Sequence, residues 1–194
     1  MKYIKCKGDL VNFLNYEFRK YGLSSRSYPL VAFSENKILY KFNYLLRHLE
    51  YYTNCNKPLR KVFIKLIFIR YTRKYLTFIP INVFDKGLKL VHIGQRLVNG
   101  GAIVGKDCTL HINTFMVAGG VNDFAPVIGD NCIFGVNSVV LGNAKIGDNV
   151  AVGAGAVVNK DFSEGNMTLG GVPAKKISLS TRNDWAAEKR KMKG

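Results

Sequence analysis

A mainly β solenoid wound in six-residue steps, preceded by a helical amino-terminal region, is the fold class this sequence predicts. Three observations predict it. Every sixth residue is apolar at Val104, Leu110, Met116, Ile128, Phe134, Val140, Ile146, Val152 and Val158. The next residue is glycine at Gly105, Gly129, Gly135, Gly147 and Gly153. Four places past each slot the residue is mostly small: Cys108, Thr114, Gly120, Cys132, Ser138, Ala144, Val150 and Ala156. A helix repeats at 3.6 residues and a two-faced strand at 2, so neither gives this pattern. Short strands turning a corner every six residues do, with the apolar residue inside and glycine at the turn. One slot fails, at Asn122, and the phase is intact beyond it.

Before the solenoid the spacing is helical. Leu10, Phe13, Leu14 and Phe18 share a face over about Leu10 to Tyr21, with Asp9 as cap and Gly22 as stop. Ser24 to Tyr28 reads as a linker. A second helix runs from about Glu35 to Tyr52, with Leu39, Phe42, Leu45, Leu46 and Leu49 as its stripe. The third, about Pro58 to Tyr75, is almost continuously apolar from Val62 to Ile69, yet is interrupted or flanked by Arg60, Lys61, Lys65, Arg70, Arg73 and Lys74. That is too charged and too short for a membrane span. It suits a buried helix of an oligomer or an amphipathic helix on anionic lipid. Ile79-Pro80 ends the helices, and Gly87 to Gly94 alternates into Val98, which is in phase with Val104. Met167 to Gly170 is a last extended piece. A short helix with Trp185 and a basic tail follow from about Ser180. The expected boundaries are 1–76 for the basic helical region, 77–178 for the solenoid and 179–194 for the tail.

Charge is uneven along the chain. Residues 1–80 hold 16 Lys and Arg against 4 Asp and Glu, and residues 81–194 hold 13 against 9. An anionic partner for the first part is expected: the cytoplasmic membrane face or an acidic substrate. Nucleic acid ranks last, because no recognition motif is present. Cys6, Cys55, Cys108 and Cys132 form no metal spacing and read as reduced thiols. The first residues lack a signal-peptide pattern, so a cytoplasmic protein is expected, either unattached or peripheral at the membrane's inner face.

Four sequence pieces resemble the hexapeptide-repeat acyltransferases: Ile79-Pro80-Ile81 followed by Gly87-Leu88-Lys89-Leu90-Val91-His92, then Cys108-Thr109-Leu110-His111, Pro126-Val127-Ile128-Gly129-Asp130-Asn131, and Gly171-Val172-Pro173-Ala174-Lys175. Within them the resemblance is to the serine acetyltransferase-like branch that O-acetylates bacterial surface polysaccharides. It implies a left-handed parallel β-helix, a homotrimer with sites between subunits, and acetyl-CoA as co-substrate with no metal. It also implies direct attack on the thioester with His92 as general base. An imidazole titrates near neutrality and can take a hydroxyl proton and return it to the leaving thiolate.

Six-residue steps place position 110 one turn from 92, so His111 is expected near His92. Extended upstream, the same register would instead turn His92 into the coil, as a structural histidine. His48 reads as exposed. The excursion at Gly119-Gly120 could offer a backbone N–H to the thioester oxygen. Gly135, Val136, Gly153 and Ala154 match the family's CoA-binding edge, and Lys160 and Lys175 could meet its phosphates. The chain departs from serine acetyltransferases at Val91 and Thr77, where they have Asp, and at Ala125, where they have a second His. Asp85 and Asp123 are candidate replacements for orienting His92. On these departures a surface-glycan acceptor is expected. Serine O-acetylation for cysteine biosynthesis and a non-enzymatic scaffold are the alternatives.

Overall fold

In the computed structural model of the chain, residues 3–23, 34–119 and 124–179 are described. The linker Ser24 to Tyr28, the failed slot Asn122 and the tail with Trp185 lie outside them, as do Gly120 and Asp123. Three helices come first. α1 (Lys7–Lys20) begins after Cys6, whose Sγ accepts the Asp9 N–H at 3.4 Å. Asp9, expected as the cap, instead sits in the first turn, and its carboxylate accepts the Lys5 N–H. The helix therefore starts three residues earlier than the apolar spacing suggests. α2 (Glu35–Asn54) buries the expected stripe of Leu39, Phe42, Leu45, Leu46 and Leu49. α3 (Pro58–Tyr75) opens on proline, whose missing N–H costs nothing there, and closes on Leu76 in the left-handed region. It turns Ile64 and Phe68 to the core, where the Phe68 ring lies 5.4 Å from that of Phe42.

Five turns of parallel strand follow. The first holds β1 (Thr77–Phe78), a bridge at Phe84, and β2 (Lys89–Leu90). The second holds β3 (Arg96–Val98), β4 (Ile103–Val104) and β5 (Thr109–Leu110), and the third β6 (Thr114–Val117), β7 (Val127–Ile128) and β8 (Ile133–Phe134). The fourth holds β9 (Val139–Leu141), β10 (Lys145–Ile146) and β11 (Val150–Val152). The fifth holds β12 (Val157–Val158), a bridge at Phe162, and β13 (Met167–Gly170), after which β14 (Lys175–Ser178) returns antiparallel along β13. Successive turns stack into three sheets, ordered β1-β3-β6-β9-β12, β4-β7-β10 and β2-β5-β8-β11-β13-β14.

Register explains the six-residue pattern. Val98, Met116, Val140 and Val158 stack on one sheet, and Leu90, Leu110, Phe134 and Val152 on another. All eight are at most 3% exposed. Each such side chain contributes about 1.5–3 kcal/mol by leaving water. Val140 follows Met116 by 24 residues where Val158 follows Val140 by 18. The extra length is one whole hexapeptide, so the phase survives the excursion around Asn122. At Gly129 an added Cβ would lie 2.8 Å from the Asp148 nitrogen, so the next turn leaves no room for a side chain there. Cys108 and Cys132 fill small-residue slots at 0% exposure, and their Sγ atoms donate to Gly129 O and Gly147 O.

A buried ionic cluster joins the helices to the coil. Arg47 of α2 pairs with Glu17 of α1 at 2.7 Å and with Glu50 at 3.0 Å, and donates to the carbonyls of Phe84 and Asp85. The two glutamates return contacts by accepting the N–H groups of Gly87 and Asn82. Burial alone would depress Arg47, but the two carboxylates hold it above the usual guanidinium range. Burial raises Glu50 against the pull of Arg47.

Candidate active site

His92 lies on the corner that leads from β2 to β3. The inward slot of its turn is Leu90, which pairs with Leu110, while Val98 pairs with Met116. Eight residues separate Leu90 from Val98 where six separate Leu110 from Met116. This corner is thus two residues longer than the one beneath it. The enlarged corner turns His92 out of the coil, with 63% of its side chain exposed, and the inward reading of its register does not hold. Its φ of 63° is left-handed, as at Asn113 and Asn137 on later corners of the same column. Histidine is one of the residue types that tolerates this region.

Two side chains fix the corner. Glu35, in the first turn of α2, accepts the Ile93 N–H at 2.9 Å and sets its other oxygen 3.3 Å from His92 Nδ1. A carboxylate on Nδ1 favours the proton on that nitrogen and leaves Nε2 as the basic one. The Ile93 N–H, the largest cause, holds the Glu35 carboxyl below the usual glutamate value; burial opposes it, and His92 adds to the lowering. The helix N-terminus also suits an anion.

Arg96 works from inside. It occupies a slot that holds small residues on later turns, is fully buried, and donates to the carbonyls of Val91, His92 and Gly94. Burial pulls it down to about 10, opposed by Tyr21 and Glu35. It still carries its charge at neutral pH. Tyr21 contributes from α1's end, where its hydroxyl oxygen accepts the Leu90 N–H at 2.9 Å, and burial pushes the phenol up.

The expected residues divide by corner. His111, Gly135, Val136, Gly153 and Ala154 follow His92 down one column, as the bonds His111 N–H to Phe134 O, Gly135 N–H to Val152 O and Gly153 N–H to Leu169 O show. Turns in such a stack are about 4.8 Å apart. His111 lies beneath Val91, whose N–H donates to Leu110 O, rather than directly beneath His92. A Cβ at Gly135 would stand 2.7 Å from the Ala154 nitrogen, so that glycine is already required for the turns to stack. Lys175 opens β14 just past the column's last corner and is exposed. Gly119 does not join them. It sits beyond β6 at the next corner of the triangle, against Gly142. Lys160 is also on that other side, with its ammonium 5.5 Å from the centre of the Phe162 ring.

Of the two carboxylates expected to orient His92, the one described does not. Asp85 is buried and accepts the Lys86 N–H, and Asp123 lies outside the described residues. Glu35 does so, from a residue 57 positions away. His48 is not exposed as expected. It is half-buried between Tyr44 and Tyr52, its Nδ1 is 2.8 Å from Tyr44 O, and burial lowers its pKa. Among the described residues no group of three or more His, Cys, Asp or Glu converges on a metal position.

Comparison with known proteins places the coil. Residues 125–160 match the family model for bacterial transferase hexapeptide (six repeats). Serine acetyltransferase of Buchnera aphidicola subsp. Schizaphis graminum (strain Sg) is 31% identical over 117 residues, covering 57% of this chain and 44% of that protein. The chain thus spans less than half the length of this curated relative. The crystal structure of Neisseria gonorrhoeae serine acetyltransferase superposes with a TM-score of 0.67 at 24% identity, covering 94% of this chain and 72% of the other. Soybean serine acetyltransferase complexed with serine gives 0.69 at 23%, covering 88% and 70%. At these identities the two structures speak for the fold.

The expected surface-glycan acceptor is corrected by these findings. The chains similar in sequence include several serine acetyltransferases, which favour the alternative reading. This chain has the hexapeptide-repeat transferase architecture of the serine acetyltransferase type.

Proposed function

We propose that the chain transfers an acetyl group from acetyl-CoA to the hydroxyl of a small acceptor, free serine, with residues 77–178 as the transferase unit. The observation that carries this reading is the His92–Glu35 pair, held on an exposed corner at the head of the column that includes Gly135, Val136, Gly153 and Ala154. His92 Nε2 takes the hydroxyl proton as the oxygen attacks the thioester carbonyl. The tetrahedral intermediate collapses, the C–S bond breaks, and the proton passes from His92 to the leaving thiolate. No residue is acylated. The departures at Val91 and Thr77 spoke against serine because they remove a carboxylate from the base. Glu35 brings one from α2, so the base retains an orienting partner.

The coil is taken as left-handed, and three copies associate side by side. Outward apolar side chains on its faces, Phe78, Leu97, Ile103 and Val127, support that association. Gly119, one corner away from its own chain's His92, then serves a neighbouring chain's site by offering its N–H to the thioester oxygen. The pantetheine arm lies along Gly135, Val136, Gly153 and Ala154, and Lys175 meets the CoA phosphates. Lys160 and His111 have lesser parts, at the rim.

The test is CoA release from acetyl-CoA with serine supplied, in the wild type and in His92→Asn. Asparagine keeps the left-handed corner and removes the base. Serine-dependent release that falls by about 10²–10⁴ in the variant is expected. Release that ignores serine, or that His92→Asn leaves intact, overturns the assignment. Lys175→Gln is expected to weaken CoA binding in calorimetry while leaving kcat unchanged.

A further inference from the structure

α3 is apolar on two opposite faces, and only one of them is covered. Ile64 and Phe68 face the core. Leu59, Val62, Phe63 and Leu66 face out, with exposures of 87, 59, 67 and 65%. At 100° per residue these four fall within an arc of about 100°, one continuous stripe over the first half of the helix. Arg70 continues the same line, Arg73 and Lys74 lie beside it, and Arg60 and Lys65 border the stripe, all of them exposed. The helix contains no acidic residue.

The acids elsewhere in the helical region are engaged. Glu17 and Glu50 are buried with Arg47, Glu35 binds the His92 corner, and Asp9 accepts the Lys5 N–H. A second copy of α3 would therefore bring cations against cations around the apolar contact. An anionic bilayer complements both parts. Its acyl boundary takes the apolar stripe, and its headgroups take the Lys and Arg side chains. No helix among the described residues is long and apolar enough to cross a membrane, so the contact is one of lying on the surface.

We infer that α3 docks the protein flat on an anionic lipid surface through Leu59, Val62, Phe63 and Leu66, with Arg70, Arg73 and Lys74 on the headgroups. The inference stands apart from the identity of the acetyl acceptor.

The experiment is co-sedimentation of the full chain with vesicles of phosphatidylcholine alone, or of phosphatidylcholine with phosphatidylglycerol. It is repeated for Phe63→Ser/Leu66→Ser and for Arg70→Gln/Arg73→Gln. All four side chains are exposed, and circular dichroism confirms that the variants fold. Sedimentation velocity without lipid reads the assembly state of each. Partition onto the anionic vesicles alone is expected. Removing the two arginines lowers it by about thirtyfold, and the serine pair lowers it by at least about tenfold. Absence of binding, or equal binding to both vesicle types, overturns the inference. It is equally overturned if the serine variant breaks the assembly while vesicle partition stays as in the wild type, because the stripe is then covered by a second copy.

Discussion

Glu35 is a surface carboxylate whose two oxygens do different work. One caps the Ile93 N–H and the other faces His92 Nδ1. Its carboxyl is held below the ordinary value of 4.5. For a carboxylate depressed in the folded state, the contribution to stability is complete above the unfolded value and is lost as pH falls through the folded one. The pair is exposed, so that contribution is small. Carboxyl NMR on Glu35 is expected to show a midpoint below 4.5. In His92→Asn the midpoint rises only part of the way back, because the Ile93 N–H, the larger cause, remains. A midpoint at or above the ordinary value would remove the pair from the site. The proposed base could be picked out in the sequence because His92 sits in a local motif. Glu35 was not, because nothing within a six-residue repeat points to a partner 57 residues away. Arg96 did leave a mark: it breaks the small-residue series two places before Val98, and a buried guanidinium needs carbonyls around it.

α1 and α2 hold to the coil through charge as well as through apolar area. Arg47, Glu17 and Glu50 are each at most 2% exposed. Apolar spacing located these helices well, since the stripe of α2 is the buried stripe. It could not locate the cluster, because a charged residue on a helix reads as solvated until the facing elements are known. Arg47→Ala leaves two carboxylates buried beside each other and is expected to cost about 3–5 kcal/mol in urea unfolding. Glu50, which burial already raises, regains neutrality by taking a proton, so the loss is smaller in acid than at neutral pH. A loss of the size of an ordinary surface substitution, or one independent of pH, would show that the coil is held by apolar contact alone.

The molecule as a whole is a stack whose pitch, from Val98 to Val158, is written in multiples of six residues. That rule made the coil legible from Val104 to Val158. It misled at His92, where a corner two residues longer shifts the phase upstream. It also bears on the excursion, which adds one whole hexapeptide between Met116 and Val140. Deleting six residues, 119–124, restores the 18-residue step and is expected to leave cooperative thermal unfolding with the same circular dichroism. Deleting five throws every later apolar side chain to the wrong face and abolishes the transition. If the six-residue deletion also unfolds the protein, the excursion is part of the core.

A stack of open sheets has two ends, and each end is a template on which another strand can grow. At the lower end of the longest sheet, β14 doubles back on β13 against the parallel direction of the rest, and it presents exposed Lys175 and Lys176. A reversed, charged edge is a poor template for the parallel coil of a second molecule. The β13–β14 hairpin thereby closes this sheet: without β14, the β13 edge of a coil well suited to stacking on itself would be open for a second copy to extend.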